Sequence, residues 1–202
     1  MQSSPLLTQD ELDFIQELLF KPLRKPSRGA ASRLAIGEQL SELLSHVSGA
    51  QQLSLDTHSE HEHLSFPLYL IQDGSNESRL ELGAPLIFEQ GSSERPWRLE
   101  LPTPLVLLDC DEQPSGLVAV ELSNNGMLVR CGKASAPAKD QLLQLILSAE
   151  RRVQLRARLA RRVDRKHYAY SLQPLHAEDE QMLRQYLFEQ HSERQRQAEA
   201  IG

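Results

Sequence analysis

Long apolar runs are missing from this 202-residue chain: no segment approaches the roughly 20 consecutive apolar residues that a membrane-crossing helix needs. The opening residues, MQSSPLLTQDELDF, also lack the basic start and apolar centre of a secretory signal, so the expected location is the cytoplasm and no membrane insertion is expected. Cysteine is scarce. Cys110 and Cys131 form neither a CxxC pair nor a metal-ligand spacing, and in a reducing compartment both are expected as buried thiols. Positive charge is not in excess either: the formal net charge is −6, which gives the molecule no general attraction for nucleic acid or an anionic membrane. Catalytic signatures are absent as local motifs, with no GxSxG, no phosphate-binding glycine loop, no HExxH and no kinase signature. No enzyme, catalytic residue or resident cofactor is therefore expected.

What is present changes character near residue 52. Before it, Thr8 and Glu11 form a capping box ahead of Leu12, Ile15 and Leu19, predicting a helix that Pro22 ends. Residues 21–33 read as a linker, and Leu40, Leu43, Leu44 and Val47 predict a second amphipathic helix that stops at Gly49. Beyond it the apolar period becomes two. LSL at 53–55, LSFPLYLIQ at 64–72, RLEL at 79–82, LIFEQ at 86–90, then WRLEL, PLVLLD, LVAVELS and GMLVRC follow as short strands between turn residues. Such spacing predicts an antiparallel sandwich or barrel with its sheet closed or nearly so.

The segment RVQLRARLARRV, residues 152–163, is charged enough to suggest a basic helix, yet its alternation is that of a strand. Val153, Leu155, Ala157 and Leu159 share one face, and Arg152, Gln154, Arg156 and Arg158 share the other. No exposed aromatics interleave with those arginines, so nucleic acid is not the expected partner. HYAYSLQPL predicts a last strand. A terminal helix follows, with acids in its first turn and a docking face of Met182, Leu183, Tyr186 and Leu187.

Two local features invite a functional reading. In THSEHEH, the side chains of His58, His61 and His63 could gather a metal, but no complementary ligand group follows at a recognised spacing, and a solvated loop is the plainer expectation. In ELSNNGMLVR, residues 121–130, Asn125-Gly126 predicts a two-residue type I′ hairpin turn, which needs φ > 0 at both central positions. Ser123 then either satisfies that turn or faces a ligand.

The order of features from residue 94 onward resembles the PilZ family. Arginines at Arg95 and Arg98 precede the first strand; ELSNNGMLV, an arginine-rich strand, HYAYSLQPL and AEDEQMLRQYLFE follow. That family carries an RxxxR motif just before its barrel and a [D/N]xSxxG motif on a barrel strand. Glu121, Ser123 and Gly126 match the second motif, with Glu121 one methylene longer than aspartate. Aligning the second arginine of the first motif on Arg98 puts Glu94 at the first position and Arg95 one residue late; Arg24 and Arg28 fit RxxxR literally, far from the barrel.

The resemblance implies a mainly β fold: a six-stranded antiparallel PilZ-like β-barrel with a C-terminal helix, preceded by N-terminal helices and a smaller β-rich region. The expected domains are an N-terminal helical segment with linker at 1–50, the β-rich region at 51–93 and the barrel with its helix at 94–197. A second β domain before PilZ is also the arrangement of flagellar-brake proteins. The implied function is a bacterial signalling adaptor in which Arg95, Arg98, Glu121, Ser123 and Gly126 bind cyclic di-GMP, the arginine arm folds down, and a protein partner meets the new surface. Two other readings stay open. One is a degenerate PilZ-like interaction module that binds no nucleotide, and the other is a metal-dependent enzyme centred on the histidines.

Overall fold

A computed structural model of the chain describes residues 33–35, 53–59, 61–72, 78–91, 93–132 and 138–200. The two helices predicted before residue 50 lie outside the described residues. By compactness the described residues fall into two units, one from the Met1–Leu55 and Phe66–Gly83 portions of the chain, the other from Asp56–Ser65 with Ala84–Gly202.

The first unit is a small antiparallel sheet. Strand β1 (Arg33–Ala35) pairs with β4 (Ser78–Leu82), and β4 pairs with the later part of β3 (Glu62–Gln72), in register from Leu68↔Leu82 to Gln72↔Ser78. Strand β2 (Leu53–His58) also pairs with β3. β1 falls between the expected linker and the expected second helix, where the sequence shows no element, because three residues are too few to display a period of two. Gly83 follows β4 where its N–H reaches Pro67 O at 2.8 Å; a Cβ there would lie 2.8 Å from Pro67 Cγ and Tyr69 Cε2, so the tight approach needs glycine.

In the second unit the chain continues through β5 (Leu86–Glu89) and the two-residue β6 (Arg95–Pro96), with the first part of β3 pairing β5 and β5 pairing β6. The barrel then forms from β7 (Leu99–Leu108), β8 (Pro114–Leu122), β9 (Gly126–Cys131), β10 (Asp140–Ile146), β11 (Arg152–Arg162) and β12 (His167–Pro174). These six strands close in the order β10-β11-β12-β9-β8-β7, all neighbours antiparallel. Helix α1 (Ala177–Glu199) packs against β7, β11 and β12.

Alternation decides which residues fill the barrel. Val153, Leu155 and Ala157 of β11 are each fully buried, while Arg152, Gln154, Arg156 and Arg158 between them are exposed. Met127, Val129 and Cys131 from β9 and Tyr168, Tyr170 and Leu172 from β12 join the same core, and α1 adds Leu183, Tyr186 and Leu187. Each fully buried leucine contributes on the order of 2 kcal/mol of hydrophobic free energy. Where β12 ends, Leu175 N–H donates to Gln154 O at 3.0 Å, and the buried Asp179 carboxylate accepts from Gln154 N–H at 2.9 Å. A helix side chain thus completes the ladder that the strand leaves open.

WRLEL and PLVLLD lie along one strand, β7, whose pairing with β8 jumps from Glu100↔Glu121 to Leu105↔Ala119 because Pro102 and Pro104 cannot donate to the ladder. Three local expectations are corrected. The segment DQLLQLI, assigned to no element from sequence, is β10; Leu143 and Leu145 face inward, but Leu142 and Ile146 on the other face hide the alternation. Cys110 is exposed in the β7–β8 turn, where Asp109 Oδ1 accepts from Asp111 N–H and Gln113 N–H and Glu112 takes φ 57°; Cys131 is buried as expected. Finally, neither Asn125 nor Gly126 has a positive φ, so the β8–β9 turn is not type I′. It is a longer connection, with Leu122 paired to Met127 and Ser123 N–H donating to Gly126 O at 2.8 Å.

Candidate functional site

Antiparallel register places side chains of directly opposed residues on one face, so rows across the barrel wall can be read from pairing alone. One such row runs Glu121, Leu128, Ala169, Arg161 through β8, β9, β12 and β11; the next contains Gly126, Ser171 and Arg158. With strands about 4.8 Å apart, Glu121 and Arg161 stand roughly 14 Å from each other. Above the rows lies a groove of about 570 Å³, lined by Arg98, Glu121, Ser123, Asn125, Gly126 and Arg161, with Leu128 and Val163 supplying apolar surface. That size suits a small organic ligand.

Of the site residues predicted from sequence, Arg98, Glu121, Ser123 and Gly126 meet in this groove, and Arg95 does not line it. Arg95 is exposed on β6 opposite Glu89. Arg98 is exposed, and its guanidinium has no hydrogen bond or ion pair among the described residues. Glu121 sits opposite Glu100 of β7, so two carboxylates share the acidic end of the row, a repulsion that a donor ligand would relieve. Ser123 is buried; its hydroxyl donates to Gly126 O at 3.1 Å with Asn125 Oδ1 at 3.4 Å, which spends its proton and leaves oxygen lone pairs as acceptors. A Cβ at Gly126 would lie 3.4 Å from Ser123 Oγ and from Tyr170 O, so glycine keeps the floor low rather than permitting a special φ.

The arm before the barrel is more tightly held than its sequence implies. Phe88↔Pro96 and Glu89↔Arg95 pair it to β5, and Trp97 N–H donates to Ile87 O at 2.9 Å. The Trp97 ring meets the His191 ring edge-on at 4.9 Å, and the Arg194 guanidinium lies 5.8 Å from its centroid. His191 in turn donates from Nε2 to Glu62 Oε1 at 2.9 Å, and Gln195 Nε2 donates to Glu62 Oε2 at 3.0 Å. Trp97, one residue before Arg98, therefore fixes where that arginine starts. The sequence marks Met182, Leu183, Tyr186 and Leu187 as the docking face of α1 but not His191, because a histidine carries no apolar signal.

Glu94, at the position of the first motif arginine, is hydrogen-bonded to His63 Nδ1, whose Nε2 lies 3.2 Å from Asp56 Oδ1. The bond to Glu94 chiefly raises the His63 pKa above its ordinary value, partial burial opposes this, and Asp56 adds to the rise. His63 also stacks on His58, with ring centroids 4.2 Å apart and planes 8° apart, and on Phe88 at 5.4 Å. Stacked imidazoles direct their in-plane nitrogen lone pairs side by side instead of toward one point, and among the described residues no group of three His, Cys, Asp or Glu is placed to hold a metal. His61 is exposed in the bend before β3.

Among the described residues no helix is long and apolar enough to cross a membrane. Comparison with protein families matches the PilZ domain over residues 90–189. Comparison with the curated proteins gives no match by sequence. Similar solved structures include YcgR of Escherichia coli in complex with c-di-GMP, at 15% identity over 84% of this chain and 78% of that one, TM-score 0.42. They also include MrkH of K. pneumonia in its apo state, at 12% identity over 73% and 74%, TM-score 0.41. The inhibitor of motility MotI/DgrA of Bacillus subtilis matches at 14% identity over 68% and 73%, TM-score 0.37. Residues 90–189, the closed barrel and most of its helix, are thus a PilZ domain.

Proposed function

We propose that this chain is a bacterial regulatory receptor that binds cyclic di-GMP in the groove on the β8–β9–β12–β11 wall and passes the change to a protein partner. The observation that carries this reading is the meeting of Arg98 with Glu121, Ser123 and Gly126 in one groove. Cyclic di-GMP offers two phosphates and two guanines. An arginine fork binds a phosphate, or the O6/N7 edge of guanine, with two parallel hydrogen bonds. Glu121 is an acceptor for the N–H donors on the other guanine edge, Ser123 Oγ is a further acceptor, and Leu128 and Val163 offer apolar surface to a base face. In this proposal 94–197 is the receptor; the chain before it does not divide at residues 50 and 93, since Arg33–Ala35 pairs with Ser78–Leu82 and Glu62–Ser65 pairs with Leu86–Glu89.

Titration calorimetry with cyclic di-GMP tests the proposal. Micromolar or tighter binding is expected, and Arg98→Ala removes a charge-assisted bond worth about 1.5–3 kcal/mol, a loss of about tenfold to a hundredfold. No heat at high ligand concentration would sink the receptor reading. A nucleotide-free adaptor is the second reading, favoured by Glu94 standing where the family has arginine and by the Ser123 proton being donated into its own turn. The same null titration, with the barrel intact by circular dichroism, supports that alternative.

A further inference from the structure

Arg161 stands in the groove only because β11 breaks its own alternation. Up to Leu159 the odd-numbered residues point into the barrel and the even-numbered arginines point out. Continued without interruption, that phase would turn Arg161 inward. Instead the pairing with β12 steps from Leu159↔Tyr170 to Arg161↔Ala169, two residues on β11 against one on β12, so Ala160 is the extra residue of a bulge. The bulge returns Arg161 to the outer face, in the row of Ala169, Leu128 and Glu121 that floors the groove.

Three other arginines of β11 are occupied. Arg156 holds Asp140 through two 2.8 Å bonds, Arg158 lies 3.5 Å from the same carboxylate, and Arg162 donates to Asp164 O at 2.8 Å. Arg161 has no hydrogen bond or ion pair among the described residues and lines the groove together with Arg98. A free cation at a bulge, on the wall of a groove already holding one free arginine, fits a ligand with two separated anionic groups.

We infer that Arg161 is the second anion-binding arginine of the groove, contacting a phosphate of bound cyclic di-GMP, and that it takes over the charge missing at Glu94. The inference rests on the proposed receptor function. It also explains why Arg95, which does not line the groove, is not needed as the compensating cation.

The test is calorimetric titration of the full chain with cyclic di-GMP for wild type, Arg161→Ala, Arg161→Lys and Arg152→Ala, the last being an exposed arginine of the same strand outside the groove lining. Arg161→Ala is expected to weaken binding by about tenfold to a hundredfold, from loss of one charge-assisted contact. Arg161→Lys should recover most of that loss, because an ammonium still meets phosphate as a point charge. Arg152→Ala should leave affinity within about twofold of wild type. If wild type and Arg161→Ala bind alike while Arg98→Ala fails, the receptor stands and the Arg161 assignment falls. Equal losses in Arg161→Ala and Arg152→Ala would mean a general charge effect and would also overturn it. Absence of binding by wild type removes both readings. Unchanged thermal unfolding of each variant excludes misfolding as the cause.

Discussion

Asp179 illustrates how much a single acid can carry without showing in a pattern. From sequence it is one of three acids in the first turn of α1, there to complement the helix dipole. In the fold it is buried and accepts the Gln154 N–H that β12 no longer reaches. Asp179→Ala should therefore destabilise the protein by about 1–3 kcal/mol by stranding a backbone donor, whereas Asp179→Asn, which keeps an acceptor oxygen, should lose much less. Urea unfolding midpoints decide the matter; equal losses in the two variants would show that the carboxylate acts through charge alone. Ser123 and Gly126 were legible in sequence as members of a spacing, but the turn they form was not. The Asn125-Gly126 pair permits a type I′ turn without enforcing it, and the Leu172 N–H bond to Asn125 O at 2.9 Å ties the loop to β12, a strand more than 40 residues away in the chain.

At the scale of elements, the arm and β3 form a pH-dependent joint within the second unit. His63 bonds Glu94 on one side and approaches Asp56 on the other, and its pKa is raised mainly by Glu94. A histidine whose folded pKa exceeds its unfolded value stabilises the fold fully below the unfolded value, and that contribution fades as pH rises through the folded value. Stability measured by urea unfolding should therefore fall as pH rises from below 6.5 through the raised pKa. His63→Gln should flatten that slope; an identical slope in the variant would remove His63 as its source. Clean alternation marks β11 and β12 as strands, whereas in β10 Leu142 and Ile146 add apolar residues to the outer face and hide the period of two. The bulge at Ala160 could be suspected only from the phase break in RLARRV, since alternation within one strand cannot say which partner strand absorbs the extra residue.

Across the whole molecule, closure of the barrel depends on an uneven set of seams. β10 pairs with β11 along all of its 7 residues, from Asp140↔Arg158 to Ile146↔Arg152, but meets β7 only at Gln144↔Leu108 and Leu145↔Leu107. The β10–β7 seam should open first. Native-state hydrogen exchange is expected to show β7 amides facing β10 exchanging through smaller openings than amides between β11 and β12. Uniform protection around the barrel would mean that closure is a single cooperative event. Net charge is another whole-molecule property with a local exception: a chain at −6 still brings to one groove Arg98 and Arg161, neither with a hydrogen bond or ion pair among the described residues.

Side-chain periodicity by itself determined most of the strands beyond residue 52, though not β10, and also which face of β11 is buried and which stripe of α1 docks, because those properties depend only on residues a few positions apart. The spacing of Glu121, Ser123 and Gly126 was likewise a property of the chain alone. Neighbour order was not: β12 lies beside β9, and β10 beside β7, through pairings between segments tens of residues apart. Only that closure, with the phase shift at Ala160, sets Arg161 in a row with Glu121 and puts Arg98 within the same groove. The physical reason is that a strand's sequence specifies the face each side chain takes, while its lateral partner is chosen by the packing of the whole barrel core.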